Sequence, residues 1–272
     1  SLVETSAQLT GTPPAEWPGA AAQGLSAANC GAMYAIPNKV LRNHRIPGLK
    51  YLRGAWLRSP LDLSVSFASE QAIDDLAFRM GQDPYEFRRL NIADERWRGV
   101  LEGAAQAANW RPRKAALNVT KANVATGRGI GLGTHLQAWG GAVADVEVNR
   151  ATGKVRVLHL YGAIDAGQVV NPGNVEAQIM GQLVQTTSRM LFEEVKFSET
   201  AVTSLDWASY PILRFADTPE ITPVIVQRIN ERPMGAGEEV MAAAAAAIAN
   251  AFFDATGVRM REYPFTPARV LA

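Results

Sequence analysis

One short segment near the C-terminus combines the residue types that base catalysis needs. Gly235-Ala236-Gly237-Glu238-Glu239 leads into an alanine-rich run that continues to Ala255. Glycine has no Cβ, so its backbone can approach a bulky group closely. A carboxylate held in such a loop can accept a proton from a ligand beside it. This loop could therefore bring the Glu238 carboxylate close to a bulky group, although a glutamate at a helix N-terminus, taken alone, is more often a surface group favoured by the helix dipole.

The composition excludes several classes of function. The chain has 272 residues, with 27 Lys and Arg against 26 Asp and Glu, so it has no net field to recruit nucleic acid or an anionic membrane. The single cysteine, Cys30, excludes a disulfide framework and cannot by itself hold an iron–sulfur cluster. His44, His135 and His159 lack the spacing of a histidine-rich metal site. Any metal would have to be carried by an organic ligand, and any electron relay by a partner.

Membrane insertion and targeting leave no signal in the sequence. The apolar run from Met241 to Phe253 is short and is bounded by Glu239 and Asp254, so we expect a buried helix rather than a membrane span. The chain opens at Ser1 without the basic and apolar regions of a signal peptide. It is consistent both with a separate gene product and with a fragment of a longer precursor.

The elements that must position Glu238 are predicted from apolar periodicity and helix-end signals. Apolar residues recur at helical spacing from Phe67 to Met80, and Gly81 is the expected stop. The run Asp83-Pro84-Tyr85-Glu86 has a capping-box pattern that begins a second helix, which we expect to continue to Asn109. Residues 111–127 are basic and turn-prone and are predicted to be a linker.

The second half of the chain changes from helical spacing to alternation. Residues 142–148 and 155–158 predict a β-hairpin, and Asn171-Pro172 predicts the start of a helix over 173–190. Strands are expected near 212–214 and 224–227, before the alanine-rich helix. The predicted fold class is α+β, with mixed sheets and packed helices. We predict an N-terminal part, residues 1–125, with an arginine loop and helices, and a C-terminal part, residues 126–272, with the glutamate loop.

The order and spacing of these segments resemble a known family. They are similar to the C-terminal portion of the molybdenum-cofactor-binding large subunits of the xanthine oxidase and aldehyde oxidoreductase family, nearest the isoquinoline 1-oxidoreductase and nicotinate dehydrogenase branch. The resemblance covers nearly the whole chain. The segments that carry it are Arg53–Pro60, Asp83–Arg88, Gly127–Val148, Asp165–Gln185 and Gly235–Glu239.

This resemblance implies roles for four residues. Glu238 matches the carboxylate that acts as the base beside the metal, and Gly237 belongs to the same cofactor-binding loop. Arg58 matches the arginine that holds the pterin, and Gln178 matches the glutamine that contacts it. A guanidinium fork suits the anionic oxygens of such a cofactor, and an amide can both donate and accept. A base works best when burial raises its pKa, which we expect the alanine-rich wall to do for Glu238.

Three features near these residues bear on the match. Glu70, which stands twelve residues after Arg58, corresponds to a glutamate that opens a helix in the family. Ser59-Pro60 replaces a Gly-aromatic pair, so the aromatic that stacks on substrate is unassigned and Trp56 is only a guess. Glu239 stands where the family more often has proline, and it either competes with Glu238 or faces solvent.

The implied activity is oxidation of an aldehyde or an aromatic N-heterocycle with water as the oxygen source. The implied cofactor is molybdenum-molybdopterin, expected in the cytosine dinucleotide form and shared with another chain. The implied partners are a chain that completes the molybdenum-binding body, an iron–sulfur subunit with a [2Fe-2S] cluster that accepts the electrons, and a small-molecule substrate. Nucleic acid and membrane insertion are not expected, and the location is cytoplasmic or periplasmic, of bacterial type.

Two other classes of function stay open. A non-catalytic assembly or interaction module that retained the fold would also explain the departures at Ser59-Pro60 and Glu239. An unrelated α+β hydrolase has less support, because the sequence has no Gly-x-Ser-x-Gly elbow.

Overall fold

The computed structural model describes residues 31, 33–40, 57–112, 122–135 and 138–272. Cys30, His44 and Trp56 lie outside these residues, as does the middle of the predicted linker. The described elements are helices α1 (Asp62–Arg79), α2 (Pro84–Asn91) and α3 (Glu95–Ala107), strands β1 (Val124–His135), β2 (Ala138–Asn149) and β3 (Lys154–Asp165), helix α4 (Pro172–Leu191), a 3₁₀ turn (Phe215–Asp217), strand β4 (Glu220–Ile225), and helices α5 (Glu239–Thr256) and α6 (Pro267–Leu271).

Helix α1 confirms the first predicted helix and its stop signal. Gly81 has φ +66°, a conformation that glycine adopts without steric cost. Its N–H donates to Phe78 O at 3.0 Å, and that of Gln82 donates to Ala77 O at 2.9 Å. These two bonds form a Schellman motif, which satisfies carbonyls that the last turn leaves free.

The second predicted helix is confirmed at its start, and the expected continuation through Trp97 is helical to Ala107, but it is a separate helix after a break that the prediction missed. The Asp83 carboxylate accepts hydrogen bonds from the backbone N–H groups of Tyr85 and Glu86, as the capping pattern predicts. The helix then ends at Asn91, because Ile92 is extended. A separate helix, α3, begins after a second cap, in which Asp94 accepts from Arg96 N.

A four-stranded mixed sheet occupies the centre of the described chain. Its order is β1-β2-β3-β4, with antiparallel pairs except for the parallel β3–β4 pair. The sheet with its packed helices confirms the α+β class, and the β2–β3 pair confirms the predicted hairpin. The strand expected near 212–214 is wrong, because these residues form an irregular approach to the 3₁₀ turn. The division at residue 125 stays a prediction.

The sheet separates two apolar cores. Alternating β2 side chains divide between them, so that Ala142 and Ala144 face α5 while Val143 faces α3. Helix α1 contributes to both cores and joins them at the sheet edge. Burial of a large aliphatic side chain contributes about 1.5–3 kcal/mol, so the fully buried Ile130 and Leu132 fix the position of β1.

Strand β1 lies unusually close to helix α5. Alternate β1 residues, Gly127, Gly129, Gly131 and Gly133, face the helix. A Cβ on Gly131 would lie 2.6 Å from the backbone oxygen of Ala243, and one on Gly133 would lie 2.5 Å from Ala243 N. This close packing accounts for all four glycines. It also sets the position of the N-terminal end of α5.

Glu70 does not open a helix, so that part of the resemblance is corrected. It lies in the middle of α1 and is fully buried. Its carboxylate accepts hydrogen bonds from Arg88 Nε at 2.9 Å, Tyr34 Oη at 2.7 Å and Leu132 N at 3.0 Å. A buried carboxylate needs such partners, and this set fastens α1 to α2 and β1. Burial raises the pKa of the Tyr34 hydroxyl, so Tyr34 stays a donor to Glu70.

Candidate active site

The structure brings the four predicted site residues together from three separate segments. Arg58 lies just before α1, Gln178 lies on α4, and Gly237 and Glu238 form the loop that enters α5. The guanidinium of Arg58 donates from Nε to Gly237 O at 2.6 Å and from Nη2 to Gln178 Oε1 at 2.7 Å. One side chain therefore joins the α4 face to the glutamate loop.

Arg58 is a cation whose direct partners are neutral oxygens. A further, longer bond runs from Nη1 to Gln185 Oε1 at 3.5 Å. Within the described residues, no carboxylate forms an ion pair with it. Burial lowers the pKa of Arg58, and the charges of Glu238 and Glu239 act in the opposite direction. The guanidinium therefore retains charge that an anionic ligand can neutralise.

Helix α4 presents Gln178, Gly181 and Gln185 on the face that Arg58 crosses. A Cβ on Gly181 would lie 3.3 Å from Arg58 Nη1, which is a tight contact. The absence of a side chain at Gly181 thus leaves room for the guanidinium.

A buried glutamine anchors the glutamate loop on its other side. The Gln182 amide donates from Nε2 to Ala236 O at 2.9 Å and accepts from Val240 N at 2.8 Å. Its side chain is fully buried, so both bonds replace water that the loop would otherwise need. Met234 N donates to Ala166 O at 2.9 Å, which fixes the start of the loop. These hydrogen bonds fix the conformation of the loop.

The carboxylate of Glu238 is held by His135, which is held in turn by Asp62. His135 Nε2 lies 2.5 Å from Glu238 Oε2, and His135 Nδ1 lies 2.7 Å from Asp62 Oδ2. Burial acts to lower the pKa of the His135 imidazole. The hydrogen bond to Asp62 and the charge of Glu238 outweigh it, so this pKa is raised. The three side chains come from the end of β1 and from the starts of α1 and α5.

Glu239 has the burial that we expected for Glu238. Glu239 is 3% exposed, whereas the Glu238 side chain is 30% exposed. The Glu239 carboxylate accepts from Glu238 N at 2.9 Å, so it fastens the loop and does not face solvent. Burial raises the pKa of Glu239. The alanine-rich helix thus buries the second glutamate, because Glu239 is already the first residue of α5.

Comparison with known proteins decides the family. Residues 90–219 match the molybdopterin cofactor-binding domain. The chain is 41% identical over 230 residues to a nicotinate dehydrogenase subunit of Pseudomonas putida, a match that covers 81% of this chain. It is 29% identical over 223 residues to the beta subunit of isoquinoline 1-oxidoreductase of Brevundimonas diminuta, which covers 80% of this chain.

The chain belongs to the molybdenum-cofactor-binding subunits of the xanthine oxidase and aldehyde oxidoreductase family. It spans 19% of the length of the nicotinate dehydrogenase relative and 27% of that of the isoquinoline oxidoreductase relative. Its fold is similar to that of the aldehyde oxidoreductase from Desulfovibrio desulfuricans, with a TM-score of 0.71 at 18% identity over 93% of this chain and 45% of that one. The recognition of the family from sequence is confirmed.

The departure from the family pattern at Ser59 has a visible backbone consequence. Ser59 has φ +59°, in the left-handed region that favours glycine. Leu61, two residues on, has φ +69°. The Ser59 hydroxyl is buried without a hydrogen-bond partner among the described residues. The loop next to Arg58 therefore keeps a glycine-like backbone even though the family's glycine is replaced.

Arg58, Gln178 and Gly237 are the cofactor-binding residues implied by the family resemblance. Their chemistry in this structure suits an anionic, oxygen-rich group. A Cβ on Gly237 would meet only Gln178 Oε1, at 3.9 Å, so packing among the described residues does not require glycine at this position. The open space lies beside the Arg58 guanidinium and the Gln178 amide. Hydrogen-bond donors, positive charge and a glycine that packing does not require thus occur at the same place.

Sequence reasoning misses three residues at the site. His135 looks like an isolated histidine in the sequence, and neither Asp62 nor Gln182 is singled out there. The signal that could identify Gln182 is a polar residue on the apolar face of the helix predicted over 173–190. No local pattern links Asp62 with His135, because they are 73 residues apart.

Proposed function

We propose that this chain contributes the base and part of the cofactor cradle of a molybdenum hydroxylase. The supporting observation is the convergence of Arg58, Gln178 and Gly237 one residue from the carboxylate of Glu238. Their order in the sequence follows the family pattern, and their contacts do not depend on a ligand.

In this proposal Arg58, Gln178 and Gly237 hold the molybdenum-molybdopterin. Arg58 supplies charge and directional donors, Gln178 supplies an amide, and Gly237 leaves room for close approach. The bound group supplies a molybdenum centre that oxidises a carbon atom of the substrate with oxygen derived from water. Because Gln182 and Arg58 already fix the loop, little conformational entropy is lost when the cofactor binds.

Glu238 accepts the proton released in the reaction. Its Oε2 atom faces His135, and no described residue bonds Oε1, which is left for proton transfer. General base catalysis of this kind contributes about 10²–10⁴-fold to the rate. Glu239 does not compete for this role, because its carboxylate is turned toward the loop backbone.

We infer that the substrate is an aromatic N-heterocycle or an aldehyde. The relatives named for nicotinate and isoquinoline support the heterocycle, and the fold relative named for aldehydes supports the second class. Both heterocycle relatives are named as single subunits, which supports a complex. We propose one partner that completes the molybdenum-binding body and one iron–sulfur subunit with a [2Fe-2S] cluster, and the cytosine dinucleotide form of the cofactor.

The cellular location of the chain is the last part of this proposal. None of the helices in the part of the chain that the structure describes is long and apolar enough to cross a membrane. The cellular compartment that we propose is the cytoplasm or the periplasm of a bacterial cell.

The test is metal and pterin analysis of the purified native complex, with Glu238→Gln prepared in parallel. We expect about one molybdenum per complex in both proteins and a fall in kcat of about 10²–10⁴-fold in the variant. Full turnover by the variant with molybdenum retained would exclude Glu238 as the base. An intact, fully assembled complex without molybdenum would favour a non-catalytic assembly module instead.

A further inference from the structure

A chain of three side chains connects the ends of three elements beside the proposed base. Asp62 is the first residue of α1, His135 is the last residue of β1, and Glu238 caps α5. These elements pack together because the β1 glycines admit α5 and because α1 covers both. The contacts Asp62–His135 and His135–Glu238 are therefore set by the fold.

The short distance between His135 Nε2 and Glu238 Oε2 requires a proton between them. At 2.5 Å two lone pairs would repel, so either the imidazole or the carboxyl carries the proton. Asp62 accepts the hydrogen on Nδ1, which leaves Nε2 to face Glu238. The raised pKa of His135 favours the doubly protonated imidazole, in which both ring nitrogens donate.

We propose that His135, held by Asp62, is a positioning residue that donates to Oε2 of Glu238 and leaves its Oε1 oxygen as the proton acceptor. This rests on the proposed function, because it takes Glu238 as the base. A proton on His135 prevents Oε2 from carrying one, and the hydrogen bond fixes the plane of the carboxylate. The proton released in the reaction then has one free oxygen to reach.

The surrounding carboxylates favour the protonated form of His135. Asp62 faces His135 from α1, and Glu238 and Glu239 face it from the start of α5. Arg58 acts on Glu238 and Glu239 from the loop before α1. Two helix N-termini also point at this cluster, and their partial positive charge favours carboxylates. Burial raises the pKa of Glu239, so this second carboxyl is neutral more readily.

The first experiment compares His135→Gln with His159→Gln in the intact complex. His159 is a matched control, since it is also a half-buried histidine. It forms a hydrogen bond with Thr222 Oγ1 at 2.8 Å. It lies on the β3–β4 pair, away from Glu238. For His135→Gln we expect kcat to fall at least tenfold, KM to change less than twofold, and molybdenum content to stay unchanged. The pH dependence of kcat/KM should also change, because the variant lacks the imidazole that faces the Glu238 carboxylate. Asp62→Asn should shift both readouts in the same direction by less.

The second readout is the thermal stability of the complex as a function of pH, which does not depend on activity. The folded pKa of His135 is raised above its unfolded value of about 6.5, so its contribution is complete below that pH. It is lost as the pH rises through the folded pKa. The Tm difference between wild type and His135→Gln should therefore be largest near pH 6 and should shrink at alkaline pH. In a Glu238→Gln background the difference should be smaller at every pH, since the pair is already broken.

The outcomes separate this inference from the proposed function. A His135→Gln complex with wild-type kcat, pH profile and Tm would overturn the positioning role, while an inactive Glu238→Gln complex would still support the base. A fall in molybdenum content in His135→Gln that accounts for the whole loss of kcat would also overturn it. Absence of molybdenum from the wild-type complex would refute the proposed function, and the Tm comparison would still test the pair.

Discussion

Two sets of glycines in this chain have different physical reasons for being glycine. The β1 set, Gly127 to Gly133, lies against the backbone of α5, where an added Cβ would collide with atoms that cannot move aside. The loop set consists of Gly235 and Gly237. There an added Cβ would have its nearest neighbours at 3.5 and 3.9 Å, which is ordinary contact.

The difference separates glycines required by the fold from glycines with no such requirement. On β1 the close approach of helix and strand explains the residue completely. At Gly237 nothing in the described chain explains it, and the space lies beside Arg58 and Gln178. Room for a cofactor accounts for the second set under the proposed function. Substitutions in the β1 set should therefore lower stability, whereas substitutions in the loop set should lower cofactor content.

The largest expected effect is at β1. Gly131→Ala would place a methyl group 2.6 Å from Ala243 O and 2.7 Å from Ala246 Cβ, so α5 must move away. We expect a loss of about 3 kcal/mol in the free energy of unfolding, measured by denaturant titration. The control is Gly173→Ala, where the nearest atom is Asn171 Oδ1 at 3.8 Å, and the change should stay within about 0.5 kcal/mol. Equal stability of the two variants would refute the close-packing account.

A smaller effect, in a different measurement, is expected at the loop. Gly237→Ala should leave the free energy of unfolding within about 0.5 kcal/mol of wild type, because no described atom obstructs the methyl group. Molybdenum and pterin retained by the complex should nevertheless fall, with cofactor affinity reduced about tenfold, or about 1.4 kcal/mol. The same Gly173→Ala variant should retain the cofactor fully. Normal loading of Gly237→Ala would show that the open space beside Gly237 is not used.

The smallest effect is expected at Ser59, where serine replaces the glycine of the family pattern. Ser59→Gly should stabilise the protein by about 0.5–1 kcal/mol, because Ser59 has φ +59° and glycine relieves that strain. Ser69→Gly is a matched control, since Ser69 is also a buried serine without a hydroxyl partner among the described residues but lies inside helix α1. Glycine there should destabilise by about 1 kcal/mol. The two Tm changes should have opposite signs, and a shared sign would mean that backbone strain at Ser59 is not the cause.

Much of the fold was predictable because its signals are local. The cap at Asp83, the stop at Gly81 and the hairpin of β2 and β3 each depend on a few neighbouring residues. The failures came where tertiary contacts decide. Residues 92–94 interrupt the predicted long helix, and residues 212–214 have no strand to pair with among the described residues. Propensity alone does not contain those constraints.

The candidate site was predictable only as far as family spacing reached. Arg58, Gln178, Gly237 and Glu238 were identified from motifs, and the structure places them in contact. The partners of Glu238 were not, because an ion pair between distant residues leaves no mark on local sequence. We expected Glu238 to be buried, but Glu239 is the buried glutamate. A shift of one position at the start of a helix turns the side chain to another face.

The sequence by itself determined the family, the order of helices and strands, and which residues have the chemistry for a base and a cofactor cradle. These follow from local patterns and fixed spacings along the chain. Only the tertiary structure decided that His135 and Asp62 hold Glu238, that Gln182 and Glu239 fix the loop, and that the β1 glycines are packing residues. The physical reason is that these roles arise from distances between segments remote in sequence, which folding alone brings together.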